Sequence, residues 1–302
     1  MMQAVTSYLA IRRTAGFELK MVEYKLRSFA RFVAERGEAH IRTSTVIAWA
    51  SQAPSVAERD TRLQMVVRFA QHMRLEDDQH EVPPRGVFGY HQTRRIPFIY
   101  TPTDLHRLLE AASRLGPPGT LQPQTYTTLL ALLVTTGLRI SEALALRLDD
   151  LTPEGLLIRK TKFHKTRLVP LHPTTAAGLQ RYLKQRLPVS WDDDHVFLSQ
   201  RGGPLSRLTV YSTFQRLLKE TNLYAGRGGY RPRLHDLRHT FAVRALEACP
   251  EGREAIRQHM LALSTYMGHA NIRDTFWYLQ STPELMTDIA QRCETFVYGD
   301  QL

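Results

Sequence analysis

The chain is poor in cysteine, in long apolar runs and in acidic residues. Two of its 302 residues are cysteine, Cys249 and Cys293. That is too few for a disulfide framework, and a reducing cytoplasm is the expected compartment. The longest near-apolar stretch, "LLALLVTTGL" at 129–138, falls far short of the roughly 20 residues that a membrane-crossing helix needs. No charged-then-apolar leader is read at the start, so no membrane association is expected. Internal repeats and low-complexity segments are also missing. Acids trail bases, 29 Asp and Glu against 40 Lys and Arg, for a net charge of +11. The surplus is not confined to a tail: residues 1–100 hold 15 Lys/Arg against 10 Asp/Glu, and 101–302 hold 25 against 19. Both halves are basic, as suits a protein that grips one long polyanion with two domains.

A hydrophobic content of 43% supports real cores, and the length suits two domains. Residues 1–82 read as a bundle of four or five helices. "FELKMVEYKLRSFARFVAERG" (17–37) places Phe17, Met21, Tyr24, Leu26, Phe29 and Phe32 at largely helical spacing and ends on Gly37. Ser44 reads as a cap of the next helix. Residues 83–100, "PPRGVFGYHQTRRIPFIY", lose the helical period and read as a linker, with Arg85, Arg94 and Arg95 as candidate phosphate contacts. The second domain, 101–302, opens on Thr101, Pro102 and Asp104, a capping box with proline at the first helical position. Helices are expected over "TYTTLLALLVTTG", 173–186, "RLTVYSTFQRLLKE", "GREAIRQHMLALSTYMG", "NIRDTFWYLQ" (capped by Asn271) and "TPELMTDIAQRCETFV". Two short strands joined by a turn are expected in 155–171, and a third in "HVFLS". The fold class is mainly α with a small β-hairpin or sheet, an α+β second domain.

"LHDLRHTFA" (234–242) sets two histidines four apart, one helical face, as a zinc site would require. Arg238 on that face opposes a divalent cation and favours a phosphate instead. Three further segments carry similar chemistry. "TTGLRISEALAL" holds Arg139 and Glu142, the 155–171 hairpin holds Lys160, Lys162 and Lys165, and "MGHANIRDTFWYLQ" holds His269 and, nine residues on, Tyr278. In this order and spacing the four segments resemble the tyrosine recombinase (phage integrase) family, of the Xer-like or mobile-element type. The resemblance covers 101–298, and the helical 1–82 matches the family's core-binding domain in type.

The resemblance implies a site-specific DNA recombinase working through a covalent 3′-phosphotyrosyl intermediate. It would form a two-domain clamp on double-stranded DNA and assemble as a homotetramer on paired sites, alone or beside sister recombinases. It implies no cofactor, neither metal nor ATP. Arg139, Arg238 and His269 would hold the phosphate, Tyr278 would attack, His235 would take the phenol's proton, and Lys162 would protonate the leaving oxygen. Elementary chemistry agrees: metal-free phosphodiester cleavage needs fixed positive charge on the non-bridging oxygens. A phenol with a pKa of about 10 also needs help to react. Lys162 is chosen over Lys160 and Lys165 by the family pattern alone. His239 is expected to be structural, and Glu142 a partner of Arg139. The basic run 159–167 and the stretch 201–233, with Arg159, Lys160, Lys165, Arg231 and Arg233, are the expected DNA contacts. "LEACPEGREAIRQHMLA" is longer than in compact relatives, and its insertion is expected in a loop between helices. Competing readings are a type IB topoisomerase or telomere resolvase, a catalytically silent DNA-binding relative, and a zinc hydrolase on His235 and His239.

Overall fold

The computed structural model describes the chain apart from residues 18, 91–94, 118, 160–165, 189–192, 226–229, 250–252, 270, 277 and 279–302 and the side chains of 253 and 276. The chain divides into two compact units, Met1–Arg95 and Ile96–Leu302. No described helix is long and apolar enough to cross a membrane.

The first unit holds α1 (Met2–Thr14), α2 (Lys20–Glu35), α3 (Thr43–Ser51) and α4 (Val56–Met73). Its core is one cluster built from Leu26, Phe29 and Val33 of α2, Val46 and Trp49 of α3, and Leu63, Val66 and Phe69 of α4. Spacings of three and four put each set on one face. The apolar stripe of α2 starts later than its composition suggests. Met21 and Tyr24 are exposed, because within α2 they fall opposite the face that carries Leu26, Phe29, Ala30 and Val33; the helix itself follows Leu19, which is in the left-handed region at φ 52°. Gly37, at φ 65°, follows its end. Ser55 caps α4 by accepting from the Glu58 amide. Ser44, by contrast, lies inside α3, whose first helical bond already runs from the Val46 amide to the Arg42 carbonyl.

The second unit starts before the expected boundary. Phe98 and Tyr100 are core residues. The Tyr100 amide donates to Thr240 Oγ1 at 3.0 Å, and its hydroxyl donates to the Arg233 carbonyl at 3.1 Å. The linker reading of 83–100 therefore runs too far. Local proline and arginine hid Tyr100, whose hydrogen-bond partners lie more than a hundred residues away. Then come α5 (Pro102–Ser113), started by the Thr101/Asp104 capping box, α6 (Gln122–Thr136), α7 (Ile140–Leu144) and a 3-10 turn, Leu148–Asp150. β1 (Leu151–Thr152), β2 (Gly155–Ile158) and β3 (Arg167–Val169) form one antiparallel sheet in that order, with Leu156 opposite Val169 and Ile158 opposite Arg167. α8 (Pro173–Arg186), α9 (Arg207–Glu220), α10 (Asp236–Glu247), α11 (Arg253–Met267) and the short α12 (Arg273–Phe276) follow.

"HVFLS" is not a strand. Val196, Phe197 and Leu198 are buried, but the segment makes only the isolated bridges Arg147↔His195 and Leu198↔Pro204. Arg186 takes up the carbonyls of Asp193 and His195 instead, and Tyr182 of α8 stacks on Phe197 with ring centroids 5.5 Å apart. The stretch thought to carry a loop insertion is mostly helix, since α10 ends at Glu247 and α11 begins at Arg253. α6 is buried on most sides by Leu129, Leu130, Leu132 and Leu133 and packs on α5, α8 and α10. It is the axis around which the site is assembled.

Candidate active site

The site begins where α6 stops. Gly137 adopts φ 61° as the left-handed C-cap, its amide bonded to the Leu133 carbonyl, a conformation that glycine enters without steric cost. A side chain there would also run into the Phe241 ring of α10. This sharp stop turns the Gly137 carbonyl toward α10, where it accepts from Arg238 Nη1. Arg238 Nη2 donates to the Met267 carbonyl at 2.8 Å, so one guanidinium, 3% exposed, ties the end of α6 to the end of α11. Two residues past Gly137, Arg139 donates through Nη2 to the next carbonyl in that turn, Gly268, at 3.1 Å. Its Nη1 reaches Glu142 Oε1 at 2.8 Å. The two guanidiniums thus read consecutive carbonyls of one turn, and His269 is the next residue.

Glu142 is 8% exposed at its side chain and serves two arginines. Besides Arg139, it accepts from Arg167 Nη1 at 3.1 Å and Nη2 at 2.8 Å. Burial alone would raise its carboxyl pKa, but Arg167 and then Arg139 bring it down to about 2. Around this one carboxylate stand the guanidiniums of Arg139, Arg167 and Arg238. Burial, then the charge of Arg139, lowers the pKa of Arg238 to about 10, which leaves it charged at neutral pH. Buried positive charge in excess of buried negative charge is costly, and a bound anion relieves the cost.

Tyr278 is 3% exposed and packs with Ala242, Val243, Leu246, Met260 and Leu263. Burial pushes its phenol pKa above the usual value, while the positive charges of Arg238 and then Arg139 pull the other way. Its ring lies 5.3 Å from that of His239 and 6.1 Å from that of His269. His235 stands at the start of α10, its ring 4.7 Å from that of His239 and perpendicular to it. His235 is open to solvent on one side, yet the protein mass behind it and the Arg238 charge lower its pKa to about 4. His239 is 8% exposed and lowered to about 3, by burial first. His269 is lowered to about 4 by burial and the two arginines, and its Nδ1 lies 2.7 Å from Thr275 Oγ1. All three imidazoles are neutral at pH 7.

The structure therefore gathers Arg139, His235, Arg238, His269 and Tyr278 from four separate segments. Lys162 lies outside the described residues, as do Arg94, Lys160 and Lys165. Arg85 and Arg95 are exposed, and so is Arg231, whose guanidinium sits 4.9 Å from the centre of the Tyr224 ring. Arg159 is ion-paired to Asp150. Arg233 is folded onto Asp236, donating from its amide at 2.8 Å and from Nη2 at 2.8 Å, and so holds the start of α10. Arg167 departs from the expectation for its basic run: it points inward, its side chain 11% exposed, and is the residue that sequence reasoning missed. Among the described residues, the one cluster with three metal-ligating groups is Asp193, Asp194 and His195. It excludes His235 and His239, and its members are engaged with Arg147 and with one another. The clefts of about 460 Å³ beside α6 and α8 and about 880 Å³ beside residues 198–206 share no lining residue with the site.

Comparison with known proteins gives a consistent result. The family model described as the phage integrase family matches residues 99–284. A Sinorhizobium fredii protein, y4rB, named as an integrase/recombinase, is 38% identical over 97% of this chain and 96% of its own length. The tyrosine recombinase XerD of Caulobacter vibrioides is 31% identical over 79% of this chain and 75% of its own. Among solved structures, the Tn1549 transposon integrase in complex with transposon right end DNA superposes with a TM-score of 0.66 at 20% identity, covering 98% of both chains. At that identity the likeness speaks for the fold.

Proposed function

This chain belongs to the phage integrase family of tyrosine recombinases, site-specific enzymes that cleave and rejoin DNA strands, and on that premise we propose that Tyr278 is the nucleophile of a metal-free phosphoryl transfer on duplex DNA. The observation that carries this reading is the buried phenol beside His239 and His269, inside a cluster with surplus positive charge from Arg139, Arg167 and Arg238. Arg139 and Arg238 present planar donor forks to the two non-bridging oxygens, where negative charge grows. His269 Nδ1 lies 2.7 Å from Thr275 Oγ1; in the tautomer in which that hydroxyl donates to Nδ1, Nε2 carries the ring proton and adds a further donor. His235, neutral at pH 7, accepts the phenolic proton as the tyrosine oxygen bonds to phosphorus. The bond from phosphorus to the 5′-oxygen breaks, and Lys162 supplies the proton that the departing oxygen takes. A 3′-phosphotyrosyl ester remains. Attack on it by a 5′-hydroxyl reverses each step and reseals the strand, so the bond energy is kept and neither ATP nor a metal ion is needed. Four copies on two paired sites, serving a mobile element, is the assembly proposed for strand exchange.

The test is incubation with nicked duplexes carrying candidate sites, followed by denaturing electrophoresis. The wild-type chain is expected to form a covalent protein–DNA adduct that persists in EDTA. Tyr278→Phe is expected to bind the same duplex and form none. An adduct in that variant, or one abolished by the chelator, would refute the assignment. Relaxation of supercoils without exchange between two sites would point to the topoisomerase-like reading.

A further inference from the structure

Arg167 is the least expected member of the cluster. Its Nη1 and Nη2 meet the two oxygens of Glu142, and its Nε donates to the Tyr266 carbonyl at 2.9 Å. The guanidinium also lies against Gly268: a side-chain carbon built there would stand 2.7 Å from Nη1. Gly268 is at φ 64°, so two constraints, one conformational and one steric, hold that position to glycine. All three nitrogens of Arg167 are engaged within the protein, and its side chain is 11% exposed. The residue touches three segments at once: strand β3, which follows the lysine-rich residues 160–165, the start of α7 through Glu142, and the 266–268 turn that precedes His269.

We infer that Arg167 is a positioning residue that sets the catalytic arginine and histidine in register, acting through Glu142 on Arg139 and through the Tyr266–Gly268 turn on His269. The inference rests on the proposed phosphoryl transfer and adds to it a residue that never meets the phosphate. Its logic is geometric. A lone carboxylate beside Arg139 could swing with it. A bidentate clamp from the opposite side fixes the plane of the carboxylate and therefore the direction of Arg139 Nη1. The same guanidinium holds the Tyr266 carbonyl, two residues before the Gly268 carbonyl that receives Arg139 Nη2. Arg139 is thus braced from both ends by one side chain. Lysine carries the charge but cannot make this three-point contact.

The experiment compares Arg167→Lys, Arg167→Ala, Glu142→Gln and the double variant Arg167→Lys/Glu142→Gln in single-turnover adduct formation. Duplex affinity and thermal melting are measured alongside. The wild-type adduct reports on the proposed function itself, and the variant-to-wild-type ratios report on Arg167, so the two failures are distinguishable. Arg167→Lys is expected to bind duplex within about twofold of wild type and to form adduct on the order of 10²-fold more slowly, the cost of a misplaced catalytic group. If Arg167 acts through Glu142, the double variant is little slower than the slower single one, because both break the same brace. Splitting binding from rate supplies a readout that a purely structural role would not give: over a duplex titration Arg167→Lys is expected to keep the half-saturating concentration within about twofold of wild type and to lose only the limiting adduct rate. Arg167→Lys decides the outcome even where Arg167→Ala fails to fold. Full adduct rate in Arg167→Lys, multiplicative losses in the double variant, or a loss carried by the half-saturating duplex concentration would each overturn the inference.

Discussion

A buried imidazole is a bet on staying neutral, and this site places several together. His239 and His269 keep folded pKa values of about 3 and about 4, and in the first unit burial also lowers His80. In the unfolded chain each protonates near 6.5. Below that pH the unfolded state binds protons that the folded state refuses, so stability falls as pH drops and is unaffected above about 7. The expected cost approaches about 1.4 kcal/mol per pH unit for each fully buried histidine once the pH is well below 6.5. The melting temperature should therefore decline between pH 6.5 and 5, a window above that in which Glu142 would titrate when unfolded. His239→Gln should flatten the decline. A melting temperature that holds or rises over that window would contradict the burial seen here. At this scale the sequence was largely legible. Arg139, His235, Arg238, His269 and Tyr278 could be singled out because the family pattern ties residue type to spacing, and the structure brings the five together. Arg167 was not found, because a run of five Lys and Arg looks solvated or DNA-facing. Only Glu142, 25 positions earlier in sequence, decides that this arginine turns inward.

Elements show a different division between local and distant signals. Caps and stops made within a few residues were partly legible: the Thr101/Asp104 box and the span of α8 were read correctly, whereas Ser44, read as a cap, lies inside α3. Features decided by partners far along the chain could not. Tyr100 was assigned to a linker although Thr240 of α10 bonds its amide, and the "HVFLS" segment looked like a strand although Arg186 takes up the His195 carbonyl. The α6 stop combines both kinds of signal. Gly137 could be recognised as a C-cap, yet its close approach to Phe241 and its carbonyl's bond to Arg238 are tertiary facts. Gly137→Ala should therefore cost stability twice, once for the left-handed backbone, roughly 1 kcal/mol, and again for the collision with the ring. Shrinking the ring in Gly137→Ala/Phe241→Leu should recover only the second part. Thermal melts of the two variants separate the contributions. Adduct formation should remain impaired in both, because the Gly137 carbonyl is displaced from Arg238. Full activity in Gly137→Ala would show that the α6 stop does not set the position of the guanidinium.

For the whole molecule the governing quantity is charge and how it is shared. A net charge of +11, spread over both halves of the chain, predicts binding dominated by counterion release, with log affinity falling linearly against log salt concentration. If both units contribute phosphate contacts, some six to ten in all, affinity should fall by about 10³ to 10⁵ between 50 and 200 mM salt. Exposed and ion-paired arginines should then behave differently. Arg231 carries its charge at the surface, over the Tyr224 ring and with Nη1 donating to the Tyr224 hydroxyl at 3.3 Å, and Arg231→Ala should reduce the slope by about 1 for every duplex sequence alike. Arg233 is spent on Asp236, so Arg233→Ala should leave the slope nearly unchanged and instead lower the melting temperature, through the start of α10. A titration series at four or five salt concentrations distinguishes these outcomes. A flat dependence for the wild-type chain would remove the electrostatic account of how this molecule finds DNA. An equal loss of slope in both variants would show that the Arg233–Asp236 pair opens on the duplex and that its charge, too, reaches the phosphates.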